Sequence, residues 1–142
     1  MKSSKIKWRF WLTLLLILSL IPTIAGCKFK IVQEENKREI PFVIVSDDCI
    51  PVELKNLIEQ RKEEEIKITY VDGKDRYIII GYGKQSTGGY SVYIKELYAT
   101  DNAIYVDTSL LGPSPEKKPP KAPSYPVLVL QISEMGLPVV FQ

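Results

Sequence analysis

Three consecutive isoleucines, Ile78-Ile79-Ile80, sit inside the run 75-DRYIIIGYG-83. In an extended chain, successive side chains point to opposite faces of a sheet. A continuous apolar block therefore needs cover on both faces, unlike the alternating strand of a sheet with one wet side. This triplet is too short for a buried helix and is followed by Gly81 and Gly83. It predicts a strand covered on both faces, and the rest of the chain must supply that cover.

The flanking segments supply one partner directly. The segment 66-IKITYV-71 alternates apolar and polar residues, and 72-DGK-74 joins it to the isoleucine run. An Asp-Gly pair between apolar runs is a strong local hairpin signal. A second hairpin is predicted from 90-YSVYIKELYA-99, the turn 100-TDN-102 and 103-AIYVDTSLL-111. Further strands are expected at 40-IPFVIVS-46, at 125-YPVLVLQIS-133 near the sheet centre and, shorter and at an edge, at 137-LPVVFQ-142. Pro126 falls at a strand start, where a missing donor is tolerable.

One segment reads as a helix. In 47-DDCIPVELKNLIEQRKEEE-65, Ile50, Leu54, Leu57 and Ile58 recur at three- and four-residue spacing. Asp47 or Asp48 is placed to cap, and Pro51 suits a first turn. The sum is an α+β fold: a mainly antiparallel, curled β-sheet with one amphipathic helix packed on it. Between the hairpins and the last strands, 112-GPSPEKKPPKAPS-124 holds five of the ten prolines, which exclude regular structure; it reads as a solvated loop, with a polyproline-like strap across the domain as the alternative.

The N-terminus reads as an address. Lys2, Lys5, Lys7 and Arg9 precede 10-FWLTLLLILSLIPTIAG-26, which is short for a spanning helix. A basic start, a short apolar core and a small-residue end define a secretory signal. The segment 24-IAGC-27 is similar to a bacterial lipobox, so Cys27 is the expected lipidation site. This organises the chain as residues 1–26 signal peptide, 27–39 charged tether and 40–142 single domain. The partner implied by the lipid is a membrane, and the expected location is the extracytoplasmic face of the cell membrane. With Cys27 lipidated, Cys49 is the one remaining thiol, expected to be buried and unreactive.

Charge follows the same division. The formal net charge is +2, yet four of the 19 basic residues lie in the first nine positions and no acid precedes Glu34. From Cys27 onward, acids outnumber bases. Nothing in this pattern points to nucleic acid, which wants a concentrated basic surface. The chain has no histidine, so the usual near-neutral general base and commonest metal ligand are missing.

Candidate catalytic sets fail on chemistry. The spacing of Asp47, Asp48, Asp72, Asp75, Asp101 and Asp107 matches no calcium loop, and most fall in turns, where Asp bonds locally. The segment 81-GYGKQSTGGYSVYI-94 has two adjacent glycines, but it lacks the GxxxxGK[ST] order and leads into a strand rather than a helix. Ser86 and Thr87 have no histidine to activate them. No metal, no cofactor and no enzymatic role is expected. At least one of Gly88 and Gly89 is expected at positive φ, in a sharp connection between two tyrosine-rich strands. Candidate contact residues for a protein or ligand are Tyr82, Thr87, Gly88, Gly89, Tyr90, Tyr93 and Tyr125. Tyrosines also pack well on half-buried sheets.

The string 80-IGYGKQSTGGYSVYI-94 resembles the G-x-x-x-T-G-G-Y-x-V signature of the PrcB C-terminal domain family. The strand 124-SYPVLVLQI-132 and the connector 111-LGPSPEKKPP-120 resemble later parts of that family's pattern. The resemblance covers roughly residues 75–132. It implies a lipid-anchored accessory subunit of a bacterial cell-surface protease complex, with a protease or another envelope protein as partner. An envelope glycan or small-ligand binding module is the alternative. A more distant likeness joins 87-TGGYSV-92 to the T-T-G-Y/F-x-W loop of chagasin-like cysteine protease inhibitors. There the sequence departs, with Gly88-Gly89 for one glycine and Val92 in place of tryptophan.

Overall fold

The computed structural model describes residues 36–114, 116 and 118–142. In chain order the elements are β1 (Arg38–Glu39), β2 (Val43–Ile44), a 3-10 turn (Asp47–Cys49), α1 (Val52–Arg61), β3 (Glu65–Asp72), β4 (Asp75–Tyr82), β5 (Ser91–Ala99), β6 (Ile104–Leu111), β7 (Val127–Ser133) and β8 (Val139–Phe141). The strands form two four-stranded sheets, in the orders β2-β7-β4-β3 and β1-β5-β6-β8. All pairs are antiparallel except β6 with β8.

The α+β class with one α-helix and mainly antiparallel pairing stands, but the expected single curled sheet does not. Two separate open sheets stack instead. The overturning feature is the β4–β5 connection. β4 pairs with β3 and β7, whereas β5 pairs with β1 and β6. The glycine segment thus carries the chain from one sheet to the other rather than closing a hairpin.

The isoleucine triplet explains why a second sheet is needed. Ile78 and Ile80 pack with Leu128, Leu130 and Ile132 of β7 against Ala99, Ile104 and Val106 of the other sheet. Ile79 and Tyr77 point the opposite way, to Leu54 of α1, Ile66 and Val129. All three isoleucines are fully buried. Each contributes about 2 kcal/mol of apolar burial. The order of layers is helix, inner sheet (β2-β7-β4-β3), outer sheet (β1-β5-β6-β8).

Local chemistry accounts for most elements. Gly73, at φ +61, takes the first loop position between the paired residues Asp72 and Asp75. A positive φ there alone suits a type II′ hairpin turn. In α1, Leu54 is buried and Leu57 and Ile58 are half-buried on the sheet side. Asp47 and Asp48 lie in the 3-10 turn and do not cap α1; Pro51 holds the N-cap position and its carbonyl accepts from the Lys55 amide at 2.9 Å.

Three expectations were too generous. Of the run 40–46, only Val43–Ile44 is strand, at the edge beside β7, with both side chains 60% exposed. Arg38 and Glu39, at the end of the charged segment, pair with Ala99 and Tyr98. Cys49 is exposed, not buried, because its 3-10 turn lies outside both cores.

The chain end is fastened by one ion pair. Arg76 Nε and Nη2 donate to Glu134 Oε2 and Oε1 at 2.6 and 2.7 Å, and Nη1 donates to the Leu137 carbonyl. Glu134 Oε1 also accepts from the Gly136 amide at 2.6 Å. This holds the 134–138 turn so that β8 can run parallel to β6. Donation from Arg76, then from Gly136, keeps the Glu134 carboxyl below the ordinary carboxylate value. A depressed folded-state value adds stability above the unfolded carboxylate value, about 4.3, and loses it as pH falls through the folded value. In acid titrations between pH 6 and 2, Glu134→Gln should therefore show a shallower fall in melting temperature than the parent. Equal slopes would mean the ion pair does not couple to folding.

Candidate interaction site

The segment between β4 and β5 does not stand free. It lies under the proline-rich segment, which crosses it as a strap. Gln85 and Ser124 form an isolated antiparallel bridge, with amide donations of 2.8 and 3.2 Å. The Gly88 amide donates to the Pro120 carbonyl at 3.0 Å. The Ser124 hydroxyl donates to the Thr87 carbonyl at 2.7 Å, and Gln85 Nε2 donates to the Tyr82 carbonyl at 2.9 Å. The described part of the connector is thus bonded to the domain, as in the strap alternative rather than the favoured solvated loop.

The two glycines do different work. Gly89 has φ +87, and a Cβ there would stand 2.9 Å from Pro113 Cβ. Gly88 is buried and its added Cβ would meet Pro120 Cβ and Cγ at 3.1 Å. One glycine makes the bend and the other lets the strap lie close. Gly89→Ala should cost about 1–3 kcal/mol, since it forces a side chain into a disfavoured backbone region and into a neighbour. Gly88→Ala should cost less, because Pro120 is exposed and can yield. Thermal melts of the two variants check the order; equal midpoints would contradict it.

The seven candidate residues do not form one surface. Thr87, Gly88, Gly89 and Tyr90 sit at the loop and strap, with the Tyr90 ring 3.8 Å from where a Cβ on Gly112 would stand. Tyr82 packs on the core between the sheets, its hydroxyl 3.0 Å from Thr108 Oγ1. The Tyr125 ring is half-buried, with Lys62 Nζ 5.0 Å from its centroid. Lys62 itself is held mainly by Glu59, which raises its pKa above the ordinary lysine value. Tyr93 is 55% exposed on the outward face of β5, opposite the core-facing Val92 and Ile94. Cys27 lies outside the described residues.

Two features escaped the sequence. The rings of Tyr98 and Tyr105 stack at 5.0 Å and 14°, and Lys37 Nζ stands 4.3 Å from the Tyr98 centroid. Both tyrosines were visible, but only the β5–β6 register places them opposite each other. A cleft of about 610 Å³ opens between β5 and the β1–β2 connector, lined in part by Ile40, Phe42, Ile94 and Leu97. It exists because the chain crosses from one sheet to the other at Pro41, which no local pattern announces.

Chemically the surface is quiet. Among the described residues, no group of three or more His, Cys, Asp or Glu is placed to hold a metal. Asp107, the one aspartate expected inside a strand, pairs with Lys95 Nζ at 3.2 Å. No buried side-chain nitrogen or oxygen among the described residues lacks a hydrogen-bond partner. Burial raises the Tyr77 hydroxyl above its ordinary value, and that residue belongs to the helix-side core. Among the described residues, no helix is long and apolar enough to cross a membrane.

No curated protein and no solved structure matches the chain. Residues 76–133 match the family described as PrcB C-terminal. That span runs from β4 through the glycine segment, β5, β6 and the strap to the end of β7. It therefore takes in the two central strands of each sheet and the loop that links them. The likeness to the PrcB C-terminal family is thus carried by these central strands and their strapped glycine loop.

Proposed function

We propose that this protein is a non-catalytic, lipid-anchored interaction domain on the extracytoplasmic face of the cell membrane, acting as an accessory subunit of a cell-surface protease complex. The observation that carries the reading is the family match over residues 76–133, joined to a leader that ends in a lipobox. Residues 1–26 are the signal peptide, 27–39 the charged tether and 40–142 the interaction domain. Lipid on Cys27 supplies the membrane attachment, so the domain surface is free for a protein partner.

The glycan-binding alternative has less support. It needs a row of open rings, and of the tyrosines singled out for it only Tyr93 is mostly exposed. The test of the leading reading is capture of partners by the full chain, solubilised in detergent from its native envelope. Recovery of an envelope protease or a protease-complex subunit is expected. Recovery of no specific protein would sink the reading.

A further inference from the structure

The sheet edges of this fold are unequal. β1 and β2 are two residues long and β8 is three. β5 is free of β1 over most of its length, but a bulge between Ile94 and Glu96 breaks its regularity there. Short strands and bulges are the usual defences of a sheet edge. β3 is different. It is eight residues long, pairs with β4 at every position without a shift, and has no described strand on its other side.

We infer that the free edge of β3 docks an extended polypeptide segment with basic ends, which adds to the inner sheet as a further strand. The inference rests on reading the chain as a protein-interaction domain. Strand addition at an exposed edge is a recurrent mode of peptide recognition: backbone groups supply affinity and alternate side chains supply specificity.

Register identifies the groups on offer. Asp72 and Asp75 flank a two-residue loop, so they form the narrow pair that exchanges both hydrogen bonds. Counting back in alternation, Val71, Thr69, Lys67 and Glu65 turn their amides and carbonyls away from β4. These four residues form a row of free donors and acceptors. The intervening residues Ile66, Ile68 and Tyr70 share the helix-side face of the sheet with Ile79 and Tyr77. Ile68 is half-buried and Tyr70 is 36% exposed. An added strand with apolar residues at alternate positions would cover both.

Charge selects the occupant. Glu63, Glu64 and Glu65 are exposed at one end of β3, and Asp72 is exposed at the other. Lys67, the lysine within the edge, is held by Glu65 Oε1 at 2.9 Å. A second copy of β3 in antiparallel register would bring its own Glu64 and Glu65 against Asp72 and Val71, setting carboxylates against a carboxylate end. Like charges facing across strands are destabilising, and opposite charges stabilise. The edge therefore suits a foreign segment with Lys or Arg at both ends.

The test uses the full chain in detergent and three fluorescent ten-residue peptides: RKTVTITVKR, the acid-ended EETVTITVEE, and RKTVPIPVKR, which cannot complete a strand ladder. Anisotropy should show binding of the first, about tenfold weaker binding of the second and none of the third. Thr69→Pro removes an outward amide and no bond to β4, so it should abolish binding. Val71→Lys keeps every backbone group and adds a like charge, so it should weaken binding of the basic peptide while the melting temperature holds. Equal binding to folded variants and parent, equal binding of all three peptides, no binding at all, or β3-dependent self-association in place of peptide binding would each overturn the inference. A partner captured from the envelope equally by the parent and by Val71→Lys would overturn the edge site while leaving the accessory-subunit reading intact.

Discussion

Ile78→Ala and Ile79→Ala are each expected to cost about 2–5 kcal/mol, the range for emptying a fully buried aliphatic site. The two neighbours should fail in different places. Ile78 fills the space between the sheets with Leu130, Ile104 and Val106, so its loss should weaken hydrogen-exchange protection in β6. Ile79 lies under α1 with Leu54 and Val129, so its loss should release the helix amides first. For a domain of this size, either change moves the melting temperature by roughly 10 °C or more. Indistinguishable exchange patterns would contradict the three-layer arrangement, even if both variants melted early.

Cys27→Ser is expected to have the largest effect on location and none on the fold. On the proposed reading the Cys27 sulfur accepts the lipid, and a serine hydroxyl cannot replace it. Fractionation should find the variant released from membranes or retained with its leader uncleaved, and acyl labelling should be lost. More than one acyl chain is needed for stable anchoring, so partial retention through the domain alone would be weak and salt-sensitive. Unchanged processing and membrane retention would defeat the lipobox reading. The far-ultraviolet spectrum and melting midpoint of the released domain should match those of the parent.

Local patterns made much of the fold legible. The Asp72-Gly73 hairpin, the amphipathic α1, the tyrosine-rich strand pair and the apolar β7 all follow from periods and turn residues within about twenty positions. The requirement for two covered faces at Ile78–Ile80 was also readable, because it depends only on strand geometry. What stayed hidden was which strands share a sheet. β4 pairs with β7 some fifty residues later, and β8 pairs in parallel with β6; neither contact has a local signature.

The candidate site divides in the same way. A positive φ at Gly88 or Gly89 was predictable, and Gly89 has it. The closeness of Pro113 and Pro120 was not, because the strap returns from more than twenty residues away. Its prolines exclude regular structure, which fits a loose loop and a strap equally well. In the folded chain their carbonyls and rings meet the loop, and the missing amides leave no donor unsatisfied. The tyrosines were visible as a group, but strand direction scatters them between the core, the strap and the outer face.

The sequence by itself determined the absence of histidine, most of the element types and the need for a strand covered on both sides. These depend on composition and on neighbours along the chain. Tertiary structure alone decided that the cover comes from a helix on one side and a second sheet on the other, and that the glycine segment bridges the two. It also decided that β3 keeps a long open edge. Sheet order and edge exposure arise from contacts between residues far apart in sequence, where apolar burial chooses among pairings that local propensity leaves equal.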